Sequence, residues 1–465
     1  MIRTRFPPEP NGYLHLGHVK AMLYDFEFHK DCACNLRFDD TNPDTERGEF
    51  VTAILDDVLW MGFTPAAITS TSDYFDTLYN FAETLICSNK AYVDFSSPDE
   101  IKAGRATGTE SVWRSQSCDK NLEEFRKMRA GKYAEGECVL RLKINMTHEN
   151  AVMRDPIAYR INFTPHYKTG TTWCIYPSYD YSHGIVDALE GITHSYCTSE
   201  FFIRRDLYLW PVRELGLTPA TVIEFGRLNV EGVSLSKRKI IPLVESGELS
   251  GYDDPRLFTI KGLRARGFTP EILKTLAGLS GLDMRDTVLS KDIILHHLRG
   301  HLYSASPKMM AVTDPIELRC VDSGDCYYIE RSDFREVDSP DYYRLAPGKT
   351  IRLRYGPYLE YVSHIGAGRS LIVNVKRVEP VNPKRVKGVL HWIPVAVAKP
   401  AIFEMYDDID VASTKTIFHG VISDSMTFSE TPIQFERVGF FRFRGIDSAS
   451  SHPIFLKIVG LKTGM

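Results

Sequence analysis

The chain has 465 residues, of which 43% are hydrophobic and 25% charged, so it has globular composition and is too long for one hydrophobic core. Its net charge of −4 neither requires nor excludes a nucleic-acid partner, because 56 Lys and Arg can still form a local basic surface. Nine cysteines without a C-x-x-C spacing fit neither a disulfide framework nor a four-cysteine zinc site, and no apolar run reaches the roughly 18 residues of a membrane span. We therefore expect a cytoplasmic protein of two to four domains that needs no membrane.

The first 40 residues predict a strand-helix-strand unit with an anion site. Strands at 2–6 and 34–39 flank a helix whose apolar residues, Val19, Met22, Leu23 and Phe26, recur with helical spacing. A right-handed crossover makes the strands parallel and places their carboxyl ends at one sheet edge. His15, Gly17 and His18 fall at the start of the helix, where backbone N–H groups and the helix dipole favour a polyphosphate. The alternative interpretation is a capped helix with structural histidines.

The later segments predict a modular α/β chain. Helices are expected at about 46–61 and 75–87, followed by a looser segment with strands at 138–144 and 157–163. A strand at 173–176, helices at 185–189 and 199–215 and a strand near 222–225 predict the second half of a doubly wound sheet. The pattern from 240 to 305 is helical, and short alternating runs after residue 306 predict antiparallel β-barrels.

Ten short segments, spread over nearly the whole chain, stand out as possible motifs. They are RFPPEPNGYLHLGH at 5–18, FDDTNP at 38–43, YPSYD at 176–180, LEGITHS at 189–195, RLN at 227–229, LSKR at 235–238, DDPR at 253–256, SDFRE at 332–336, VKGVLHW at 386–392 and QFER at 434–437. In this order they resemble one family, the class I glutamyl- and glutaminyl-tRNA synthetases, and its glutaminyl branch above all. So many segments in the family's order leave little room for chance.

The resemblance implies an α/β fold built from a Rossmann-type catalytic domain and several added parts. An acceptor-binding subdomain would interrupt the catalytic domain, and a helical subdomain that contacts the RNA stem and antiparallel β-barrels that bind the anticodon would follow. The implied boundaries are 1–88 and 167–239 for the two catalytic halves, 89–166 for the insertion, 240–305 for the helical subdomain and 306–465 for the barrels.

The resemblance also implies ATP chemistry, in which the carboxylate of an amino acid attacks the α-phosphate and pyrophosphate leaves. Such a reaction needs preorganised donors for developing negative charge more than it needs a nucleophilic side chain. By residue match His15, His18 and Lys237 are the expected catalytic groups, and Mg²⁺ would bridge the phosphates without a dedicated protein ligand. The expected ATP-binding residues are Glu9, Pro10, Asn11, His15, Leu16, Gly17, His18, Val19, Lys20, Ala21, Thr198, Arg227, Leu228, Leu235, Ser236 and Lys237.

Residues for the other two substrates follow from the same match. Asp39 would bind the α-ammonium of glutamine and Tyr179 its side-chain amide, while Arg5 and His183 would line that pocket. The expected partners are glutamine, ATP and tRNA(Gln), bound by a monomer. Candidate tRNA-binding residues are Arg335, Lys387 and Gln434 near the anticodon, with Arg204, Arg205, Arg264 and Arg266 for acceptor-stem phosphates.

Two departures from the family pattern stand out, and the first keeps the amino acid open. Val222 stands where glutaminyl enzymes generally have a Gln of the amide-recognition network, which favours a glutamyl-tRNA synthetase or a non-discriminating enzyme. Against it, Pro10-Asn11 matches the glutaminyl form of this turn, and the neutral Cys197 and titratable His183 favour glutamine, because a glutamate site needs a cation. The segment from Ile316 to Phe334 is also shorter than in bacterial members. A tRNA-binding paralogue without catalysis is the alternative from another class, and the presence of all four of His15, His18, Asp39 and Lys237 argues against it.

Overall fold

The structure is a computed structural model that describes residues 2–233 and 237–461. It divides into two compact units. The first comprises Met1–Pro242, Thr259–Lys261 and Leu273–Leu289, and the second comprises Leu243–Phe258, Gly262–Ile272 and Ser290–Met465. Within the described ranges, no helix is both long and apolar enough to span a bilayer. The five-part division expected from the sequence stays a prediction.

The first unit begins with the predicted strand-helix-strand pattern. Its β1 and β2 are parallel, with Arg5 opposite Asn35, and β3 extends the sheet in the order β1-β2-β3. The sequence did not predict β3, whose three residues are too few for a periodic signal. The elements are β1 Arg3–Phe6, α1 Leu16–Phe26, β2 Ala33–Phe38, α2 Gly48–Trp60, β3 Ile68–Ser70 and α3 Phe75–Cys87.

An antiparallel sheet of order β4-β5-β6-β7 follows. The prediction that 173–176 resumes the parallel sheet is wrong, since β7 pairs antiparallel with β6 and places Tyr176 opposite Arg160. All three β7 residues are buried, and such a short apolar run does not distinguish parallel from antiparallel pairing. The elements are β4 Ala91–Asp94, α4 Pro98–Thr107, α5 Cys118–Arg129, β5 Val139–Leu142, β6 Ile157–Ile161 and β7 Ile175–Pro177.

The parallel arrangement resumes one strand later, with β8 paired parallel to β9. β8 also runs beside β1, because the Thr193 N–H donates to the Arg3 carbonyl at 2.9 Å and Arg5 reaches the Tyr196 carbonyl at 2.9 Å. β8 was not predicted because it is largely polar. The elements are α6 Tyr179–Leu189, β8 His194–Thr198, α7 Arg205–Glu214, β9 Thr221–Phe225, β10 Leu228–Val230, α8 Lys237–Glu245, α9 Ile260–Arg266, α10 Pro270–Gly278 and β11 Thr287–Leu289, with β10 parallel to β11.

The second unit contains two seven-stranded, mainly antiparallel sheets, in agreement with the predicted β-rich module. Their orders are β12-β23-β24-β25-β21-β22-β13 and β19-β16-β17-β18-β14-β15-β20. The elements are α11 Lys291–Ala305, β12 Lys308–Met309, β13 Ala311–Val312, β14 Pro315–Cys320, β15 Cys326–Glu330, β16 Thr350–Leu353, β17 Tyr358–Ile365, β18 Ile372–Arg377, β19 Val389–Leu390, β20 Ile393–Pro394, β21 Ala398–Tyr406, β22 Lys415–Ser423, β23 Ile433–Phe435, β24 Gly439–Ile446 and β25 Pro453–Gly460.

A glycine sets the close packing of α6 on α7. A Cβ atom at Gly184 would lie 2.4 Å from the Tyr208 carbonyl oxygen and 3.1 Å from Val212 Cγ2. The near atom is backbone and cannot rotate away. The position of α6 matters because this helix carries Tyr179 and His183, two of the expected site residues.

We expect Gly184→Ala to force α6 away from α7 and to destabilise the fold by about 1–3 kcal/mol, the usual range for overpacking. Thermal unfolding monitored by circular dichroism measures the effect as a lower melting temperature. Gly300→Ala is the matched control, since Gly300 lies inside α11 with nothing within 4 Å of an added Cβ, and it should be neutral or stabilise by about 0.5–1 kcal/mol. An unchanged melting temperature for Gly184→Ala would contradict this packing.

Candidate active site

The loop expected to bind ATP, residues 7–15 between β1 and α1, is hydrogen-bonded at two points to the loop that follows β2. We call residues 7–15 the ATP loop. We call residues 39–47 the β2–α2 loop. Its first N–H, from Asp39, donates to the Pro8 carbonyl at 3.1 Å, and its last, from Arg47, donates to the Pro10 carbonyl at 3.0 Å. Within the ATP loop, the Asn11 side-chain amide donates to the Glu9 carboxylate. The geometry therefore places Asp39 directly beside the expected nucleotide loop.

His15 and His18 form the N-terminal cap of α1. His15 Nδ1 accepts from the Gly17 N–H at 3.1 Å, and His18 Nδ1 accepts from the His15 N–H, also at 3.1 Å. The two ring centroids are 4.0 Å apart. Because both Nδ1 atoms accept, the ring proton of each neutral histidine is on Nε2, which is then a donor at the positive end of the helix dipole.

Gly17 has a packing role at the same helix start. A Cβ there would lie 2.9 Å from His15 Cε1 and 3.2 Å from the Leu228 carbonyl oxygen. Glycine thus lets the cap histidine and β10 approach α1 closely. This contact joins two segments that the sequence assigned to the ATP site.

Some of the other residues expected to bind ATP are buried, and others are exposed or line a cleft. Leu16, Val19 and Lys20 are buried, and Lys20 Nζ donates to the Gly226 carbonyl at 2.6 Å. Arg227 is half-exposed and pairs with Asp286 at 2.8 Å. Of the remaining residues, Ala21, Thr198, Glu9 and Asn11 line one cleft. Leu235 and Ser236 lie outside the described residues; Lys237 begins α8, and its side chain is also outside the description.

A buried ion network lies below this cleft. Asp187 on α6 pairs with Arg5 at 3.1 Å and with Arg37 at 2.6 Å, and Arg37 also pairs with Glu190 at 3.3 Å. Burial alone would raise the pKa of Asp187, but the charges of Arg5 and Arg37 outweigh it and hold that pKa well below its usual range. Tyr208 donates its hydroxyl proton to the same carboxylate at 2.6 Å.

The network ends at the residue expected to bind the α-ammonium. Asp39 Oδ2 lies 2.9 Å from His183 Nδ1, and Arg5 Nη2 lies 2.8 Å from His183 Nε2. Burial, with the Arg5 charge, lowers the pKa of His183, so the ring is neutral, donates from Nδ1 to Asp39 and accepts at Nε2. Burial would raise the pKa of Asp39, but the His183 hydrogen bond and the Arg37 charge lower it, and Asp39 is an anion.

Two adjoining cavities open above the network, and Arg5, Tyr179, His183 and Cys197 line both. The Tyr179 ring stacks on His183 with centroids 4.5 Å apart. Burial raises the pKa of Cys197 to about 12, so its thiol is neutral. The smaller cavity is lined by Arg5, Tyr179, Asp180, His183, Ser195, Cys197, Phe201, Arg204, Arg205, Tyr208 and Val222.

The cationic residues of this cavity are already paired. Arg204 contacts the Asp180 carboxylate, and Arg205 Nε donates to Glu224 at 2.7 Å. Arg204 and Arg205 line the cavity that contains Val222, and their expected contact with an RNA stem stays a prediction. Sequence reasoning missed Asp187, Arg37, Glu190, Ser195 and Tyr208, which carry no local signal beyond the i+4 spacing of His183 and Asp187 on α6.

A second set of buried acids lies behind Asp39. Asp40 accepts from the Ser72 N–H at 2.8 Å and from the Tyr167 hydroxyl at 2.9 Å, and Glu46 accepts from the Asn42 N–H at 2.8 Å. Burial raises the pKa of Asp40 to about 7. Burial also raises the pKa of Glu46 to about 9, against the Asn42 hydrogen bond that lowers it. Glu46 is therefore protonated at neutral pH.

The residues proposed for RNA binding are in the second unit. The exposed Arg335 guanidinium lies 4.3 Å from the Tyr342 ring centre, and the exposed Lys387 ammonium lies 4.7 Å from that of Tyr343. Gln434 is 7% exposed and its Oε1 has no hydrogen-bond partner. The expectation that Arg266 reaches stem phosphates is wrong, because it is 4% exposed and donates to the carbonyls of residues 255, 408 and 458.

Comparison with known proteins decides the family. Residues 1–297 match the family model "tRNA synthetases class I (E and Q), catalytic domain", which is more than half of the chain. The chain belongs to this family. Since class I synthetases activate amino acids with ATP, ATP is a substrate, in agreement with the expected nucleotide site.

Curated relatives in this family match nearly the whole chain. The glutamine–tRNA ligase of Nitrosomonas europaea is 38% identical over 524 aligned positions, which include 99% of this chain and 94% of the relative. Those of Vibrio vulnificus and Lupinus luteus are 38% and 39% identical, and this chain covers 94% and 65% of them. Because the first alignment exceeds 465 positions, the relative contains segments that this chain lacks. A solved glutamate tRNA ligase from Elizabethkingia meningosepticum covers 66% of this chain and 70% of its own, with 19% identity and a TM-score of 0.48.

We expect Glu46→Gln to raise the melting temperature more at pH 9 than at pH 5. Because the folded-state pKa of Glu46 is about 9 against 4.5 for an ordinary Glu, its contribution to stability is full below pH 4.5 and is lost as pH rises towards 9. Glutamine does not titrate, so the difference in unfolding free energy between variant and wild type should grow by up to about 1.4 kcal/mol per pH unit in that window.

Glu83→Gln is the control for this pH dependence. The hydrogen bond from Arg126 lowers the pKa of Glu83, so its stabilisation is present above pH 4.5 and is lost on acidification. Between pH 5 and pH 9 the variant should therefore be less stable than wild type by a nearly constant amount, without the pH dependence expected for Glu46→Gln. A Glu46→Gln difference that stays constant from pH 5 to pH 9 would show that Glu46 is not buried as an acid.

Proposed function

We propose that this chain is a glutamine–tRNA ligase, which forms glutaminyl-adenylate from glutamine and ATP and transfers the glutaminyl group to the terminal adenosine of tRNA(Gln). The observation that carries the proposal is the charge balance of the cavity beside Asp39. Arg5 is paired with Asp187, and Cys197 and Val222 are neutral. Such a cavity suits a neutral amide.

In the first step, the glutamine carboxylate oxygen attacks the α-phosphorus of ATP, a P–O bond forms, and the bond to the pyrophosphate oxygen breaks. His15 and His18 would donate from Nε2 to the phosphates, and Lys237 would neutralise the departing pyrophosphate as a point charge. Mg²⁺ would be held mainly by the nucleotide phosphates, as the family match implies, because this ion usually binds through substrate phosphates and few protein ligands.

In the second step, a ribose hydroxyl of the terminal adenosine attacks the adenylate carbonyl, its proton is lost, and AMP leaves. Throughout both steps Asp39 would hold the α-ammonium, because it is a buried anion 2.9 Å from the neutral His183. Tyr179 would face the side-chain amide from its stack on His183. These groups bind and orient, and most of the rate enhancement would come from such preorganisation.

Glutamate is the second candidate amino acid, because Val222 offers no side-chain hydrogen bond to an amide. A buried carboxylate would, however, need an unpaired cation, and transferring it without one costs several kcal/mol. Arg5 already contacts Asp187, His183 and Ser195 through one edge of its guanidinium. The paired state of Arg5 favours glutamine.

The second unit would bind the anticodon region of the tRNA. Exposed Arg335 and Lys387, each over a tyrosine ring, combine the positive charge and the stacking surfaces that unpaired bases require. Gln434 stays a contact predicted from the family match alone, because its side chain is buried on β23. We place the enzyme in the cytoplasm as a monomer.

Charging of purified tRNA(Gln) with labelled glutamine or labelled glutamate under identical conditions tests the proposal. We expect glutamine to be charged with a kcat/KM at least about 100-fold above that of glutamate, because a site built for one polar group rejects the analogue that leaves charge unpaired. Equal or better charging of glutamate would support the rival enzyme. No charging of either would favour the non-catalytic paralogue.

A further inference from the structure

The β2–α2 loop is held from two sides. On one side its ends donate to Pro8 and Pro10 of the ATP loop, as described above. On the other side it contacts the segment 160–168, which joins β6 to the turn before β7. The contacts are Arg160 to Asn42 Oδ1 at 3.0 Å, Asn162 to Asp44 at 2.9 Å, Thr164 to Asp44 at 2.7 Å, Tyr167 to Asp40 at 2.9 Å and His166 to the Asp40 carbonyl at 3.1 Å.

His166 is the most buried of these contacts. It is 2% exposed, and its Nε2 lies 3.1 Å from the Asp40 carbonyl oxygen and 3.7 Å from both Asp40 Oδ2 and Glu46 Oε2. Its Nδ1 accepts from the N–H groups of Lys168 and Thr169, each at 3.2 Å. The ring proton is therefore on Nε2 and is donated to the Asp40 carbonyl. One histidine thus fixes the peptide between Asp40 and Thr41, one residue after Asp39.

Both carboxyl groups near His166 suit a neutral ring. Burial lowers the pKa of His166, and the neighbouring Lys168 charge acts in the same direction. Glu46 Oε2 is buried without a hydrogen-bond partner, and burial raises the pKa of Glu46 to about 9, so this carboxyl group is neutral. The hydroxyls of Ser72 and Tyr167 satisfy Asp40. Among the described residues, neither Asp40 nor Glu46 forms a salt bridge with a Lys or an Arg, and His166 is the basic side chain that both carboxyl groups face.

The Asp39 side chain depends on this peptide. Its two carboxylate oxygens accept hydrogen bonds from Thr71 at 3.0 Å and from His183 at 2.9 Å, and both donors lie outside the loop. A shift of the backbone at residues 39–41 would therefore break these two hydrogen bonds. We propose that His166 is a positioning residue for amino-acid binding, which holds the β2–α2 loop so that the Asp39 carboxylate meets the α-ammonium. This inference rests on the proposed function in one respect, namely that Asp39 binds the α-ammonium of the amino acid.

His166→Leu removes the donor and keeps an apolar side chain of similar bulk. We expect it to raise the KM for glutamine about tenfold or more, while the KM for ATP changes by less than about threefold, because the displaced group is the ammonium ligand. His166→Gln retains an N–H donor at about the position of Nε2, and its KM for glutamine should stay within about threefold of wild type. Steady-state aminoacylation at saturating tRNA measures each constant.

Asn121→Leu is the matched control for general damage to the antiparallel sheet region. Asn121 is 2% exposed, bonds to the Val93 N–H and to Gln116, and has none of its hydrogen bonds with the β2–α2 loop. It should lower the melting temperature without raising the KM for glutamine. Tyr167→Phe, which removes the hydroxyl bond to Asp40 and keeps the ring, is a milder second variant if His166→Leu does not fold, and it should raise that KM about threefold.

A KM for glutamine in His166→Leu, or in Tyr167→Phe when that variant is used, that stays within about 1.5-fold of wild type would overturn the inference. So would an equal increase in Asn121→Leu, or a loss in His166→Gln as large as that in His166→Leu. Parallel assays with glutamate distinguish a failure of this inference from a failure of the proposed function. Glutamate carries the same α-ammonium as glutamine, so an effect of His166 on ammonium binding should appear with either amino acid. A wild-type enzyme that charges only glutamate contradicts the proposed function, and the KM ratios for glutamate then test His166.

Discussion

The ion pair between Arg5 and Asp187, shared with Arg37, is the interaction on which the site depends. It joins β1, β2 and α6 at the carboxyl end of the parallel sheet, and both carboxylate oxygens of Asp187 accept from more than one donor. Buried charges are tolerated only when paired, and loss of one partner usually costs about 3–5 kcal/mol because the other stays desolvated. The same pairing removes the positive charge of Arg5 from the amino-acid cavity. One group of side chains therefore stabilises the fold and also determines which substrate charge the amino-acid cavity accepts.

Local sequence signals predicted the elements of the site but not its network. Helical spacing and the proline-rich turn placed the start of α1 to within one residue, because capping and periodicity act over a few residues. His183 and Asp39 are 144 residues apart, and no spacing relates them. Their joint role came from the family resemblance. Asp187 and Arg37 were missed since their importance lies in burial beside each other, which is a property of the folded chain.

The errors have equally specific causes. β7 was assigned to the wrong sheet because three buried apolar residues fit either pairing, and β8 was missed because its polar residues face the network and the cavity. The sequence also did not predict that Arg204 and Arg205 pair with Asp180 and Glu224 in the cavity wall, and their contact with an RNA stem stays a prediction. The sequence shows that a residue is charged, but it shows neither which residue it pairs with nor how deeply it is buried. The same limit explains why Arg266, bonded to backbone carbonyls, was placed on the surface.

The central claim is that a paired, neutral cavity beside an anionic Asp39 binds glutamine through its ammonium and its amide. A crystal structure with a non-hydrolysable glutaminyl-adenylate analogue tests it most directly. The account predicts the α-ammonium within about 3 Å of an Asp39 carboxylate oxygen, the amide between Tyr179 and Cys197, and the Arg5–Asp187 pair intact. An analogue whose ammonium lies away from Asp39, or an Arg5 that leaves Asp187 to bind the ligand side chain, would contradict it.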